Sequence, residues 1–302
     1  MSEVFFQQVV NGLTIGMIYA LIALGYTIVY GIAQLINFAH GEVFMVGAYL
    51  GLLATIILNQ IFHIPSGPIA IFFVFIFSVS LTGLLGMGIE RLTYRPLRNA
   101  PRLAPLITAI GMSFLLQNVV MLIFGPSDKS FPQLFEIKKY SFQSVTFTNL
   151  QVLIAGVSVF LMGALHFFVK NTKTGKAMRA LADDRQAASL VGIDTNLIIS
   201  RAFLIGSSLA GAGGVMFAMY YSTINFHDGS LAGWKAFSAA VFGGIGNIPG
   251  AMLGGVLIGV LEGLGAGYIS SEWKNVFAFF VLILILLFRP SGLLGSRVVK
   301  KV

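Results

Sequence analysis

The densest group of polar residues inside an otherwise apolar region lies at residues 34–42. Asn37, His40 and Glu42 supply hydrogen-bond donors and acceptors there, and Gly41 permits a sharp bend in the backbone. One histidine and one glutamate two positions apart are too few to fill a metal coordination shell. The segment is therefore interpreted either as a plain turn or as a broken-helix site beside a path through the protein.

A second ionisable candidate, Glu262, lies toward the end of the apolar segment 250–266. A charge inside a membrane span is costly and often functional, although a carboxylate near a segment end can also reach water at the interface. No predicted span holds paired acids or a histidine–acid relay, which argues against a proton-coupled pump. The candidate residues of a translocation path are Asn37, His40, Glu42, Gly250, Gly254 and Glu262.

The sequence lacks the residues for cysteine chemistry and for ATP binding by a P-loop. The chain has no cysteine, which excludes disulfides, thiol catalysis and cysteine metal sites. It also lacks the sequence Gly-x-x-x-x-Gly-Lys-[Ser/Thr], because Gly175-Lys176-Ala177 has neither the upstream glycine nor the hydroxyl. We therefore expect no cofactor on this chain and no binding of ATP by a P-loop.

The composition indicates a protein that lies almost entirely in a membrane. Of 302 residues, 57% are hydrophobic and 10% are charged, with a mean hydropathy of +0.88. A soluble domain carries about 25% charged residues. Clear spans of about 20 apolar residues are predicted at 12–33, 69–89, 104–124, 150–169 and 197–221. Shorter segments are predicted at 43–58, 236–246, 250–266 and 276–288.

These segments predict an all-α polytopic integral membrane protein of eight or nine segments, forming one domain over residues 1–302. The pair 236–246 and 250–266 could instead form a re-entrant hairpin, and 43–58 is the least regular segment. Thirteen of the 19 basic residues fall in loop 90–103, loop 170–196 and the tail after residue 288. The positive-inside rule then predicts a cytoplasmic C-terminus and an outer N-terminus. Because the basic residues behind the +8 net charge lie in loops on one side of the membrane and form no single patch, nucleic acid is not an expected partner.

Glycine recurs at four-residue spacing, a pattern that lets membrane helices approach closely. Gly250 and Gly254 continue the spacing of Gly246, and a second series runs through Gly255, Gly259, Gly263 and Gly267. Two glycine faces on one segment predict a central helix that is packed on both sides.

The basic loop 170–196 contains a helix-prone stretch at 176–192 with small residues near its end. A helix that fits a groove on another protein needs small contact residues and a flexible exit. The candidate docking residues are Arg185, Gln186, Ala187, Ala188 and Gly192. A solvated amphipathic linker would have a similar composition.

Several sequence runs together resemble the permease subunits of branched-chain amino acid ABC importers, and specifically the shorter H-type. They are 12–26, 36–42, 90–91 with 94–96, 109–113, 235–237 with 243–246 and 249–251, and 289–295. The resemblance covers nearly the whole chain. Gln186 departs from the general importer pattern, which has glutamate there, and the Ile-x-Leu-Pro tail after Gly192 is missing.

The resemblance implies a multi-pass subunit of the bacterial inner membrane that contacts lipid and forms half of a path for leucine, isoleucine and valine. It also implies a second permease subunit, two cytoplasmic ABC ATPase subunits and an external solute-binding protein as partners. The loop 170–196 would then couple to the ATPase, and ATP would be hydrolysed on the partners, not here. A urea or short-amide permease of the same superfamily, an ATP-independent secondary transporter and a structural membrane protein are the alternatives.

Overall fold

The computed structural model describes residues 2–63, 67–98, 100–101, 103–142 and 145–295. Within these ranges eight helices are long and apolar enough to cross a membrane. They are α1 (Ser2–Ala33), α2 (His40–Gln60), α3 (Pro68–Ile89), α4 (Leu103–Phe124), α5 (Asn149–Asn171), α8 (Thr195–Tyr221), α10 (Ile248–Tyr268) and α11 (Lys274–Phe288), the last of which reaches spanning length together with a 3-10 turn at Ser271–Trp273. The predicted all-α polytopic class is confirmed, and segment 43–58 is a full-length helix.

Three shorter helices complete the helical part: α6 (Lys173–Asp183), α7 (Arg185–Leu190) and α9 (Asp228–Gly243). The segment predicted at 236–246 is wrong in its bounds. Helix α9 begins eight residues earlier and ends at Gly243, and Gly246 lies in the following turn with φ +92°. Helix α9 runs antiparallel to α10, and Leu293 of the C-terminal segment donates its backbone N–H to the carbonyl of Phe242 at 2.8 Å.

Helices α1 and α8 lie at the centre, where most of their residues are buried, whereas α4, α5 and α11 are largely exposed. The centre is tight because glycines replace side chains at the helix crossings. A Cβ on Gly12 of α1 would lie 2.6 Å from the carbonyl oxygen of Gly259, and one on Gly16 would lie 2.8 Å from that of Val256. On the other face of α10, Gly254 meets the backbone of Ala239 in α9. The two predicted glycine faces of this segment are confirmed, one packed on α1 and the other on α9, but α10 is half buried and not at the centre.

Small sheets mark one end of the bundle, which we call the hairpin end. Strand β1 (Lys129–Ser130) pairs with β4 (Thr223–Ile224), and β2 (Lys139–Phe142) pairs with β3 (Val145–Thr148), both antiparallel. The Gln7 side chain near the start of α1 accepts a hydrogen bond from the backbone N–H of Thr146 at 2.9 Å. The N-terminus and the loop 125–149 therefore lie together, as the charge pattern predicts.

The two basic loops meet at the opposite end, which we call the basic end. Arg98 from the first loop contacts the side chain of Asn196, and Arg201 donates to the hydroxyl of Thr174 at 3.2 Å. Arg102 and the basic residues after 295 lie outside the described residues. The two described basic loops thus share one side of the bundle.

A buried charge cluster joins α3 to α8 at the basic end. Beyond α3 the helix widens into a π-helical turn, Glu90–Tyr94. The Glu90 side chain is fully buried, pairs with Arg98 and accepts a hydrogen bond from Ser200. Breaking a buried pair by removing one partner leaves an uncompensated charge, which costs far more than the pair itself contributes.

We expect Glu90→Leu to lower the free energy of unfolding by about 3 kcal/mol, because Arg98 would keep a desolvated charge. The midpoint of thermal unfolding in detergent measures this effect. Glu136→Leu is the matched control, since Glu136 pairs with Lys138 at 3.8 Å between exposed side chains, a pair worth less than about 1 kcal/mol. Equal midpoints for the two variants would show that loss of Glu90 does not leave a costly unpaired charge on Arg98.

Candidate functional site: an outer cavity and a basic docking surface

The polar segment 34–42 folds back into the helix bundle and starts α2. Gln34 takes up a positive φ of 52°, so the chain turns there rather than at Gly41. Gly41 lies inside α2, where a Cβ would lie 2.7 Å from the Cα of Gly233 in α9. The predicted bend at Gly41 is therefore wrong, and this glycine instead permits the contact between α2 and α9.

The three polar residues of this segment have different surroundings. The side-chain oxygen of Asn37 accepts hydrogen bonds from the Tyr94 hydroxyl at 2.7 Å and from the backbone N–H of Ala39 at 3.1 Å. Asn37 thereby fixes the entry to α2. The ring of buried His40 packs edge-on against Tyr26, with centroids 4.6 Å apart. Glu42 is buried beside Gly229 of α9 and accepts a weak hydrogen bond from Ser113 at 3.4 Å.

A cavity of about 340 Å³ opens at the hairpin end between α1, α8, α9 and α11. Its mouth is polar and its walls are largely apolar. The mouth residues include Asp128, Asn225 and Asp228, and the wall residues include Phe217, Tyr221, Leu231 and Ala232. The rest of the lining is Tyr19, Thr223, Ile224, Lys235, Lys274 and Asn275. A volume of this size is at the lower end of the range for small-molecule sites.

Lys235, which lines this cavity, belongs to an ion pair that is buried inside the bundle. Lys235 Nζ in α9 lies 2.8 Å from Glu262 Oε1 in α10 and 3.2 Å from the Tyr19 hydroxyl in α1. The side chains of Lys235 and Glu262 are 6% and 3% exposed. The interpretation of Glu262 as an interface carboxylate in contact with water is therefore wrong, because Lys235 neutralises it within the bundle.

Lys235 was missed as a site residue in the sequence, although it is a buried ionisable group that lines the cavity. The available signal was a lysine among small and apolar residues at 231–245, which by itself marks a functional position in a membrane helix. Of the six candidate path residues, none lines the cavity. Glu262 touches it through Lys235, while Gly250 and Gly254 pack α10 against α9.

The docking segment at the basic end consists of two helices, not the single helix expected over 176–192. Asp184 separates α6 from α7, and its carboxylate accepts hydrogen bonds from the backbone N–H groups of Gln186 at 2.8 Å and Ala187 at 3.0 Å. This is the usual role of aspartate at a helix N-terminus. Helix α6 buries Met178 and Leu181 against the bundle.

Helix α7 presents apolar side chains to solvent. Leu190 is 87% exposed and Val191 is 77% exposed, whereas Ala188 is 3% exposed and packs inward. Arg185, Gln186 and Ala187 are exposed, and Gly192 ends the segment with φ +85°. Partial burial and the nearby charge of Arg98 lower the pKa of the Arg185 guanidinium. Of the five docking candidates, four are thus exposed, whereas Ala188 is buried and packs against the bundle.

Eight apolar helices with glycine-packed crossings, a cavity at one end and an exposed basic segment at the other fit a transport protein of the membrane. The chain belongs to the family described as the permease component of the branched-chain amino acid transport system, whose model matches residues 8–286. The resemblance inferred from the sequence runs is thereby confirmed.

Relatives match over almost the entire chain. It is 48% identical over 302 residues to the high-affinity branched-chain amino acid transport system permease protein BraD of Pseudomonas aeruginosa, covering 99% of this chain and 98% of the relative. The identity to the corresponding permease protein LivH is 44% for Escherichia coli K12 and 45% for Salmonella typhimurium, with the same coverage.

Proposed function

We propose that this chain is the permease subunit of an ATP-driven importer that moves leucine, isoleucine and valine across the inner membrane. The proposal rests on two sites at opposite ends of the bundle: a cavity lined by the buried Lys235 at the hairpin end, and exposed apolar residues at the end of α7 at the basic end. The names of the full-length relatives support the solute class.

The partners follow from this arrangement. Leu190 and Val191, beside the exposed residues 185–187, offer a compact apolar surface ringed by polar groups, as a docking helix requires. One of two cytoplasmic ABC ATPase subunits would bind there, the other would bind the second permease subunit, and both would hydrolyse ATP, so this chain is a non-catalytic transport subunit without a cofactor of its own. A second permease subunit would complete the path, and an external binding protein would deliver solute to the cavity mouth.

Transport would then proceed by alternating access. Closure of the ATPases on ATP would move α6 and α7, which pack against α5 and α8, and this movement would open and close the path in turn. Because α8 also borders the outer cavity through Phe217 and Tyr221, it links the two ends of the protein.

The orientation has its own test, because the natural chain contains no cysteine. Lys139→Cys and Lys173→Cys place single thiols on exposed residues of the hairpin end and the basic end, respectively. We expect a membrane-impermeant maleimide to label Cys at 139 in intact spheroplasts, and Cys at 173 only after the membrane is permeabilised. The reverse pattern would contradict an outer N-terminus and a cytoplasmic docking segment.

The solute class is tested by competition in cells that carry the complete system. Uptake of labelled leucine should be inhibited by excess isoleucine and valine and should be unaffected by excess urea or acetamide. Inhibition by urea or acetamide with no effect of isoleucine would favour the short-amide alternative.

A further inference from the structure

We propose that Lys235 and Glu262 bind the carboxylate and the ammonium group, respectively, of a zwitterionic amino acid at the floor of the outer cavity. The inference rests on the proposed function for its solute class, and it adds the residues and the charge rule by which that solute is recognised. The ion pair between α9 and α10 is then the empty state of a binding site.

The first support is the unused hydrogen-bonding capacity of Lys235. An ammonium group has three donors, and the contacts of Lys235 Nζ are Glu262 Oε1 at 2.8 Å and the Tyr19 hydroxyl at 3.2 Å. Nζ also lies 5.5 Å from the centroid of the Tyr19 ring. Because Lys235 lines the cavity, a carboxylate that enters can accept the remaining N–H.

The second support is the free oxygen of Glu262. Oε2 is buried and has no hydrogen-bond partner among the described residues. A buried carboxylate oxygen without a donor is unfavourable, and an ammonium group from a ligand would supply the missing donors. Glu262 itself does not line the cavity, so a ligand ammonium group reaches Oε2 once Lys235 has turned toward the ligand carboxylate.

The third support is charge balance. In the empty state Lys235 and Glu262 neutralise each other, so neither is left alone in a region of low dielectric constant. The other charged residues of the lining, Asp128, Asp228 and Lys274, are less buried than this pair. A zwitterion brings one charge of each sign, and both protein groups find an opposite partner when the pair separates. A ligand with a single charge would leave one buried group unpaired, which is costly. The site therefore selects for zwitterions over amines and acids of the same shape.

The walls suit the rest of an aliphatic amino acid. Leu231, Ala232, Phe217 and Ile224 line the cavity above the ion pair. A branched side chain can pack against these groups while its charged end reaches the floor, which is the usual division of labour in a small-molecule site.

The ligand test uses the purified complex of this chain with its ATPase, without the binding protein, and three probes that share one carbon skeleton. Leucine carries both charges, 4-methylpentanoate lacks the ammonium group, and isoamylamine lacks the carboxylate. We expect leucine to raise the thermal midpoint of the complex, and the two single-charge probes at the same concentration to leave it unchanged. No shift with leucine, or a shift with either single-charge probe equal to that with leucine, would overturn the charge rule.

The residue test uses variants that remove the pair without leaving an unpaired charge. Lys235→Met with Glu262→Met replaces both members by apolar groups of similar size, a change that folded proteins tolerate. We expect this double variant to assemble normally, as judged by gel filtration, and to lose at least tenfold in leucine uptake. The control is Glu136→Met with Lys138→Met, which removes an exposed pair near the hairpin end and should leave uptake unchanged.

The outcomes separate the two proposals. If the natural protein imports leucine and the assembled double variant does so equally well, the pair is only structural and the inference is wrong. If the natural importer takes up no leucine at all, the proposed function fails first and the inference fails with it. Should the double variant not assemble, the three-probe experiment on the natural complex without binding protein decides the charge rule.

Discussion

Gly259→Leu should prevent α1 and α10 from packing and leave little folded protein. A side chain at position 259 would overlap the backbone of Gly16 and lie close to that of Gly12. No rotamer change relieves a collision between a Cβ and a neighbouring backbone, so the helices would have to separate. Overpacking costs about 1–3 kcal/mol when side chains can adjust, and we expect about 3 kcal/mol or more here. The yield of monodisperse protein in detergent and its thermal midpoint measure the effect.

Gly156→Leu in α5 is the matched control, because a Cβ at position 156 meets nothing within 4 Å. It should fold with an unchanged or higher midpoint, since leucine has a better helix propensity than glycine. A Gly259→Leu variant that is as stable as this control would show that α10 does not depend on close backbone contact with α1.

Leu190→Asp should uncouple the permease from ATP hydrolysis while leaving the helix bundle intact. Leu190 is almost fully exposed on α7, so a charge there meets water in the isolated permease. In a docked complex the same charge would enter an apolar contact without a partner, which is strongly unfavourable. We expect co-purification of the ATPase and ATP-dependent leucine uptake to fall by at least tenfold.

The control is Ile61→Asp, which places the same charge on an exposed apolar residue beyond the end of α2, 66% exposed. It should leave ATPase binding unchanged. If Leu190→Asp retained full ATPase binding and uptake, α7 would not be the docking helix. A large drop in thermal midpoint for this variant would instead assign Leu190 a role in folding.

The spans were predictable because apolar length alone determines whether a helix can cross a bilayer. The apolar run at 43–58 predicted helix α2 in this way, although the helix extends beyond the run at both ends, to the polar residues His40 and Gln60. The glycine faces of α10 were predictable from spacing, because small residues four positions apart lie on one side of a helix. These features are local, so a single stretch of sequence contains them.

The start of α9 and the ion pair between Lys235 and Glu262 could not be predicted from a single stretch of sequence. Asp228 and Lys235 interrupt the apolar run, so a count of apolar residues starts the segment too late. What permits Lys235 inside the bundle is Glu262, 27 residues further along and on another helix. Only the three-dimensional contact shows that two separate polar residues are one neutral pair.

The division of the docking segment into α6 and α7 was predictable in part. Asp184 just before Arg185 is a typical helix N-terminal residue, and in the structure it caps α7. The inward position of Ala188, however, depends on how α7 packs against α6 and α8. The segment could be located from charge and composition, while its exposed face required the fold.

ATP hydrolysis by partner subunits is proposed to drive an amino acid through this permease. The most direct test is uptake of labelled leucine into proteoliposomes that contain this chain, its co-purified ATPase and its binding protein. Three conditions are compared: ATP on the side of the basic end, a non-hydrolysable ATP analogue, and an imposed proton or sodium gradient without nucleotide. We expect uptake only with hydrolysable ATP and binding protein. Uptake driven by an ion gradient by this chain alone would contradict it.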